Sequence, residues 1–168
     1  MSRGFVKEDD QEETPIIPPR AALPAGTTNY VTSVGLLELK NELKKLDHQI
    51  GNLAETDDRE RRRALAVLNG KRNLLIERIN TARTLDKIKD IGEIRFGAIV
   101  TYIIEGLKKP VTIQIVGVDE ANVTKQKIAF TAPIARSLVG KRLDDIIDFK
   151  MGNKVRKITI KQIEYPTE

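Results

Sequence analysis

The chain has 168 residues, 40% of them hydrophobic and 32% charged, which suits one or two small folded domains. It contains no cysteine, excluding a disulfide framework and a thiolate metal site, and nowhere offers the about 18 consecutive apolar residues that span a bilayer or the apolar run of a secretory signal. A soluble cytoplasmic protein with no membrane partner is expected; its net charge of +5, carried by residues 34–168 while residues 1–33 are acidic, permits contact with DNA or RNA, although seven aromatics without Trp are too few for a single-strand stacking surface.

Residues 1–33 combine the acidic run Glu8-Asp9-Asp10-Gln11-Glu12-Glu13 with Pro15, Pro18, Pro19 and Pro24. So few apolar side chains cannot offset the entropy of ordering, and the composition predicts a disordered or extended tail. Thr32 or Ser33 is then the candidate N-cap of a first helix, with Glu38 and Glu42 in its opening turns on the side that the helix dipole favours.

Over residues 34–90 the pattern is that of a coiled coil. Leu36, Leu39, Leu43, Leu46, Ile50 and Leu53 alternate at spacings of three and four, predicting a helix over about 34–55. A second stripe, Leu65, Leu68, Arg72, Leu75, Ile79 and Ala82, predicts another over about 59–85. Taken outward from residue 59 the two stripes mirror each other: Leu53 stands opposite Leu65, Leu46 opposite Arg72 and Leu36 opposite Ala82. Such symmetry is what an antiparallel helical hairpin requires, because both arms must contribute to each layer of its core. Arg72 interrupts the seam, and its guanidinium must snorkel or pair with an acid such as Asp47. His48, the sole histidine, lies off the seam with no ligand set around it and reads as an exposed side chain.

The apex near Arg59 reads Glu55-Thr56-Asp57-Asp58-Arg59-Glu60-Arg61-Arg62-Arg63. At about 1.5 Å per helical residue it stands about 34 Å from the base of the hairpin. Four acids thus sit at the end of a thin rod, a shape suited to placing them somewhere narrow; the plainer reading is a solvated polar turn.

From residue 91 the period becomes that of strands. Ile94–Ile104 and Val111–Val118 read as a hairpin around Gly106 and Lys109-Pro110, followed by a loop and a short strand at 128–130. Thr131-Ala132-Pro133 opens a helix with proline in its first turn, Ala135, Leu138 and Val139 on its buried side and Gly140 at its end. Strands over about 145–150 and 155–164 close a small antiparallel sheet with one packed helix. The fold class is therefore α+β: a disordered tail over 1–33, an antiparallel helical hairpin over 34–90 and a sheet domain over 91–168.

The blocks Val116-Gly117-Val118-Asp119-Glu120, Pro133-Ile134-Ala135-Arg136-Ser137-Leu138-Val139-Gly140-Lys141, Asp145 and Glu164-Tyr165 closely resemble the C-terminal domain of bacterial Gre-type transcript cleavage factors. The resemblance implies an FKBP-like sheet domain that docks at the rim of the secondary channel of RNA polymerase, and a hairpin that enters the channel. Asp57 and Glu60 stand at the spacing of the family's tip acids, which implies that they complete a second Mg²⁺ site shared with the polymerase active site, no metal being held by the free protein. On this reading a monomer that is not itself an enzyme stimulates endonucleolytic cleavage of backtracked RNA. Asp58, Arg59, Arg61, Arg62 and Arg63 would face the nascent RNA 3′ end or channel phosphates. Asp119, Glu120, Ala132, Pro133 and Ile134 would contact the polymerase.

Several residues depart from the family pattern. Arg61 replaces the usual Asn, Thr56 a Gly and Ala64 a Tyr, and each arm is shorter than usual by about one heptad, or about 10 Å. The alternative function is a secondary-channel regulator that inhibits or modulates transcription without stimulating cleavage. A prolyl isomerase is disfavoured, because this half has only Phe96, Tyr102, Phe130, Phe149 and Tyr165 to line an apolar pocket and fill its core.

Overall fold

The computed structural model describes residues 14–85 and 90–166. Helix α1, Ser33–Gly51, starts at Thr32, whose hydroxyl oxygen accepts the Gly35 N–H at 3.0 Å. Its first turn contains no acid, so Glu38 and Glu42 lie further along than expected. The helix ends at Gly51 rather than near Glu55. Both the backbone N–H and the side-chain amide of Asn52 turn back onto the His48 carbonyl and satisfy it. Helix α2, Asp58–Thr81, also stops short of its expected end at 85. Asn29 supplies the reason: its amide donates to the Arg78 carbonyl at 2.9 Å, and Arg83 is paired alongside Tyr30 as a short parallel bridge.

The hairpin core follows the two stripes. Leu39, Leu46, Leu75 and Val31 are buried, with Leu36, Leu43, Leu68, Ile79 and Ala82 packed around them. Arg72 Nε reaches Asp47 Oδ1 at 2.6 Å, which lets a cation sit in the seam opposite Leu46. In that register α2 runs past the end of α1 by about two turns. Leu53 and Leu65 are accordingly only half-buried, and the loop 52–57 is what lies opposite the start of α2.

The strands β1 (Ile99–Ile104), β2 (Val111–Val116), β3 (Lys127–Ala129), β4 (Ile146–Met151) and β5 (Lys154–Glu164) form one sheet in the order β3-β2-β1-β5-β4. It is mixed rather than wholly antiparallel, because β3 runs parallel to β2. The connection through residues 117–126, including a short 3₁₀ turn at Val123–Lys125, carries the chain back to Gln114, midway along β2, before β3 begins. Val100, Tyr102, Ile104, Ile113, Ile115, Ile158 and Ile160 line the inner face. Helix α3, Pro133–Leu138, lays Ala135 and Leu138 on that face, whereas Val139 is exposed. Gly152-Asn153 form a two-residue turn between β4 and β5, with Gly152 at φ +61°, a conformation in which glycine meets no steric penalty.

Residues 14–32 are not a loose tail. They contain no helix or strand, yet they run along the hairpin as a packed strap. Ile17 fills the space over Gly70, Val31 joins the hairpin core and Tyr30 joins the sheet domain. Val31 and Tyr30 are covered by distant elements, which composition alone could not reveal, while Ile16 is 89% exposed and Ile17 38%. The acidic run Glu8–Glu13 lies outside the described residues.

Candidate functional site: an acidic tip and a buried acidic joint

At the far end of the hairpin, Asp57 is the N-cap of α2, its Oδ1 accepting the Glu60 N–H at 2.8 Å. Glu55 Oε1 accepts from the N–H groups of Thr56 and Asp57 at 3.0 and 3.3 Å and so closes the loop. Asp58 and Glu60 occupy the first turn of α2, where the positive end of the helix dipole favours carboxylates. All of residues 54–63, including Arg59, Arg61, Arg62 and Arg63, are exposed. The Asp57-x-x-Glu60 spacing is therefore first a helix start. Among the described residues no group of three His, Cys, Asp or Glu side chains could hold a metal ion. The tip offers hard oxygen donors on an accessible surface.

The second acidic pair, Asp119 and Glu120, lies at the other end of the hairpin. Both were expected to face a partner, and the structure corrects this: the residue Glu120 is 7% exposed and the Asp119 side chain 6%. Glu120 Oε2 accepts the N–H of Thr32 at 3.0 Å and of Gly117 at 3.1 Å, while its Oε1 takes the Thr32 hydroxyl. The same hydroxyl caps α1, so one carboxylate fixes the start of the hairpin to the loop after β2. Gly35 is required by this contact, since a Cβ there would overlap the Glu120 carboxyl carbon. Gly117 is equally confined, by Glu120 and the Tyr30 carbonyl. Asp119 pairs with Arg20 of the strap at 2.9 Å and with Arg78 of α2 at 3.0 Å. Beside them the rings of Tyr30, Phe96 and Phe130 pack together with centroids 5.7–5.8 Å apart.

The segment expected to dock divides. Pro133 is exposed, while Ala132 and Ile134 are half-buried against the sheet core, leaving a small apolar rim around the start of α3. Sequence reasoning missed Arg20, Tyr30, Thr32 as a partner of Glu120, and Arg78. The one available signal was Gly35: glycine in a first helical turn costs about 1 kcal/mol relative to alanine and invites the question of what approaches it.

A helical shaft with acids at its far end is tied at its base to a small mixed sheet, giving a two-part molecule. Residues 89–165 match the family model described as transcription elongation factor, GreA/GreB, C-terminal. Over 151 residues, 80% of this chain and 93% of the relative, the sequence is 30% identical to transcription elongation factor GreA of Rickettsia prowazekii (strain Madrid E). Over 117 residues, 68% of this chain and 74% of the relative, it is 33% identical to GreA of Mesorhizobium japonicum. The chain belongs to the Gre family of transcription elongation factors, proteins that act with RNA polymerase. Among solved structures, a GreA/GreB factor of Nitrosomonas europaea aligns at 16% identity and a TM-score of 0.42, covering 83% of this chain and 99% of that one. Gfh1 of Thermus thermophilus aligns at 19% and 0.39, covering 82% and 99%. Among the described residues no helix is long and apolar enough to cross a membrane.

Proposed function

We propose that this protein docks through its sheet domain at the secondary channel of RNA polymerase and delivers the hairpin tip to the active site, where it stimulates endonucleolytic cleavage of backtracked RNA. The observation that carries this reading is the exposure of Asp57, Asp58 and Glu60 at the end of a shaft about 36 Å long, the length of α2 at about 1.5 Å per residue. A Mg²⁺ ion held there jointly with the polymerase would supply charge neutralisation and an activated water. Asp57 and Glu60 would offer it carboxylate oxygens, and Asp58 would add to the negative field. The arginines at 59, 61, 62 and 63 would bind phosphate oxygens of the RNA 3′ end. Pro133 and the rim formed by Ala132 and Ile134 would meet the polymerase.

The cap at Asp57 dictates the choice of variants. Alanine would remove both the carboxylate and the cap, whereas asparagine caps a helix about as well as aspartate. In a cleavage assay on a stalled, backtracked elongation complex, Asp57→Asn and Glu60→Gln are expected to abolish the release of short 3′ RNA fragments while polymerase binding and melting temperature stay unchanged. Undiminished cleavage by both variants would remove the tip acids from the mechanism. A second reading draws on α1 ending at Gly51, earlier than expected: a tip with a single-helix end would obstruct the channel without supporting cleavage. Slower nucleotide addition without fragment release, in the same assay, would favour it.

A further inference from the structure

Arg20 is remote in sequence from both of its ion-pair partners. Its Nη1 and Nη2 donate to the two carboxylate oxygens of Glu42 at 2.8 and 3.1 Å, and its Nε donates to Asp119 Oδ1 at 2.9 Å. Glu42 belongs to α1 and Asp119 to the loop after β2. The other Asp119 oxygen faces Arg78 Nε of α2, and Arg78 Nη2 donates back to the strap at the Ala21 carbonyl. Two cations and two anions thus join both arms of the hairpin, the strap and the sheet domain. The side chains of Arg20, Arg78 and Asp119 are 18%, 13% and 6% exposed, so water competes weakly for them, whereas Glu42 at 46% is open to solvent. The hydrogen bonds donated to Glu42, the largest cause, hold the Arg20 pKa above its ordinary value despite desolvation, so the fork stays charged.

Geometry gives this network a task. A rod about 36 Å long converts a swing of about 10° at its base into a displacement of about 6 Å at its tip, whereas catalytic groups must be held to within about 0.5 Å. The angle at the joint therefore decides where the tip acids arrive. We propose that Arg20 is a positioning residue: by clamping the strap across Glu42 and Asp119 it sets the angle at which the hairpin leaves the sheet domain, and with it the reach of the tip toward the polymerase active site. This rests on the reading above in which the tip is the working end.

The absence of cysteine makes the test clean, because labels attach only where cysteines are introduced. Spin labels at Thr56→Cys, on the tip, and Lys108→Cys, on the exposed β1–β2 turn, report the tip-to-domain distance in the full chain by pulsed electron resonance. The parent is expected to show one narrow distribution. Arg20→Ala should broaden it at least twofold and, without labels, reduce the effect on a stalled polymerase complex at least tenfold, with polymerase affinity changed less than twofold. Arg20→Lys, which keeps the charge but loses the fork, should fall between them. A distribution that stays narrow in a folded Arg20→Ala protein, even one with a lowered melting temperature, overturns the proposal. So does a broadened distribution with an unchanged effect on the polymerase. If the parent leaves the polymerase unaffected, the function reading fails, and the distance distribution alone still decides whether Arg20 sets the angle.

Discussion

An acidic pair stands at each end of the hairpin, one on its own tip and the other on the sheet-domain loop at its base, and the two pairs have opposite fates. Asp57 and Glu60 lie in solvent at the tip, where one carboxylate caps a helix and the other is free to meet a partner. The Asp119 side chain and Glu120 are buried at the base, where Arg20, Thr32 and Gly117 donate to their oxygens and Arg78 stands 3.0 Å from the remaining Asp119 oxygen as an ion pair without a hydrogen bond. The same residue types thus serve delivery at one end and fastening at the other. What separates them is the surroundings: a helix start projecting past its partner arm, against a crevice closed by a strap and two glycines.

The contrast breaks most visibly at Asp119. Asp119→Ala leaves Arg20 and Arg78 facing each other with no shared anion, and removing one member of a buried ion pair costs about 3–5 kcal/mol. Urea unfolding should show that loss. A change under about 1 kcal/mol would mean that the joint is solvated after all. Next in size is Gly35→Ala, which forces the Glu120 carboxyl group out of its site and should cost about 1–2 kcal/mol, the lost hydrogen bonds outweighing alanine's better helix propensity. Gly51→Ala on the same helix is the control. Nothing lies within 4 Å of a Cβ there, so it should stabilise the protein slightly, by about 0.5 kcal/mol. If both changes act in the same direction, the crowding by Glu120 is not what makes Gly35 necessary.

At the tip the stakes for stability are smaller. Asp57→Ala should cost about 1 kcal/mol through loss of the cap, with Asp57→Asn nearly neutral, as read by thermal unfolding. Equal losses in the two variants would show that charge rather than capping holds the helix start. The smallest effect is expected at Asp90, whose carboxyl is held below its ordinary pKa first by the hydrogen bond from Arg142 and then by the Gly92 N–H. A lowered folded-state value means that the contribution is present above the unfolded pKa and lost as pH falls through the folded one. In an NMR titration, Arg142→Gln should move the Asp90 midpoint upward, leaving stability at neutral pH almost as it was. A midpoint that does not move would assign the shift to the Gly92 contact alone.

The sequence by itself determined the hairpin and its register. Leu39, Leu46 and Leu75 are buried, and Asp47 meets Arg72, because heptad spacing reports which residues share a face and mirror symmetry reports which layers meet. It also located the turns around Gly106 and Gly152, the helix at Pro133, and the family itself, through blocks of residues in the sheet domain. Tertiary structure decided the rest. The parallel pairing of β3, the packing of residues 14–32 and the burial of Asp119 and Glu120 all depend on partners distant in sequence, such as Arg20 for Asp119 and Thr32 for Glu120. Local periodicity carries no information about which remote surface will cover a residue. An Asp-Glu pair therefore reads the same in sequence whether it is bound for solvent or for a salt bridge, and only the folded chain, by excluding water from one pair and not the other, makes them different.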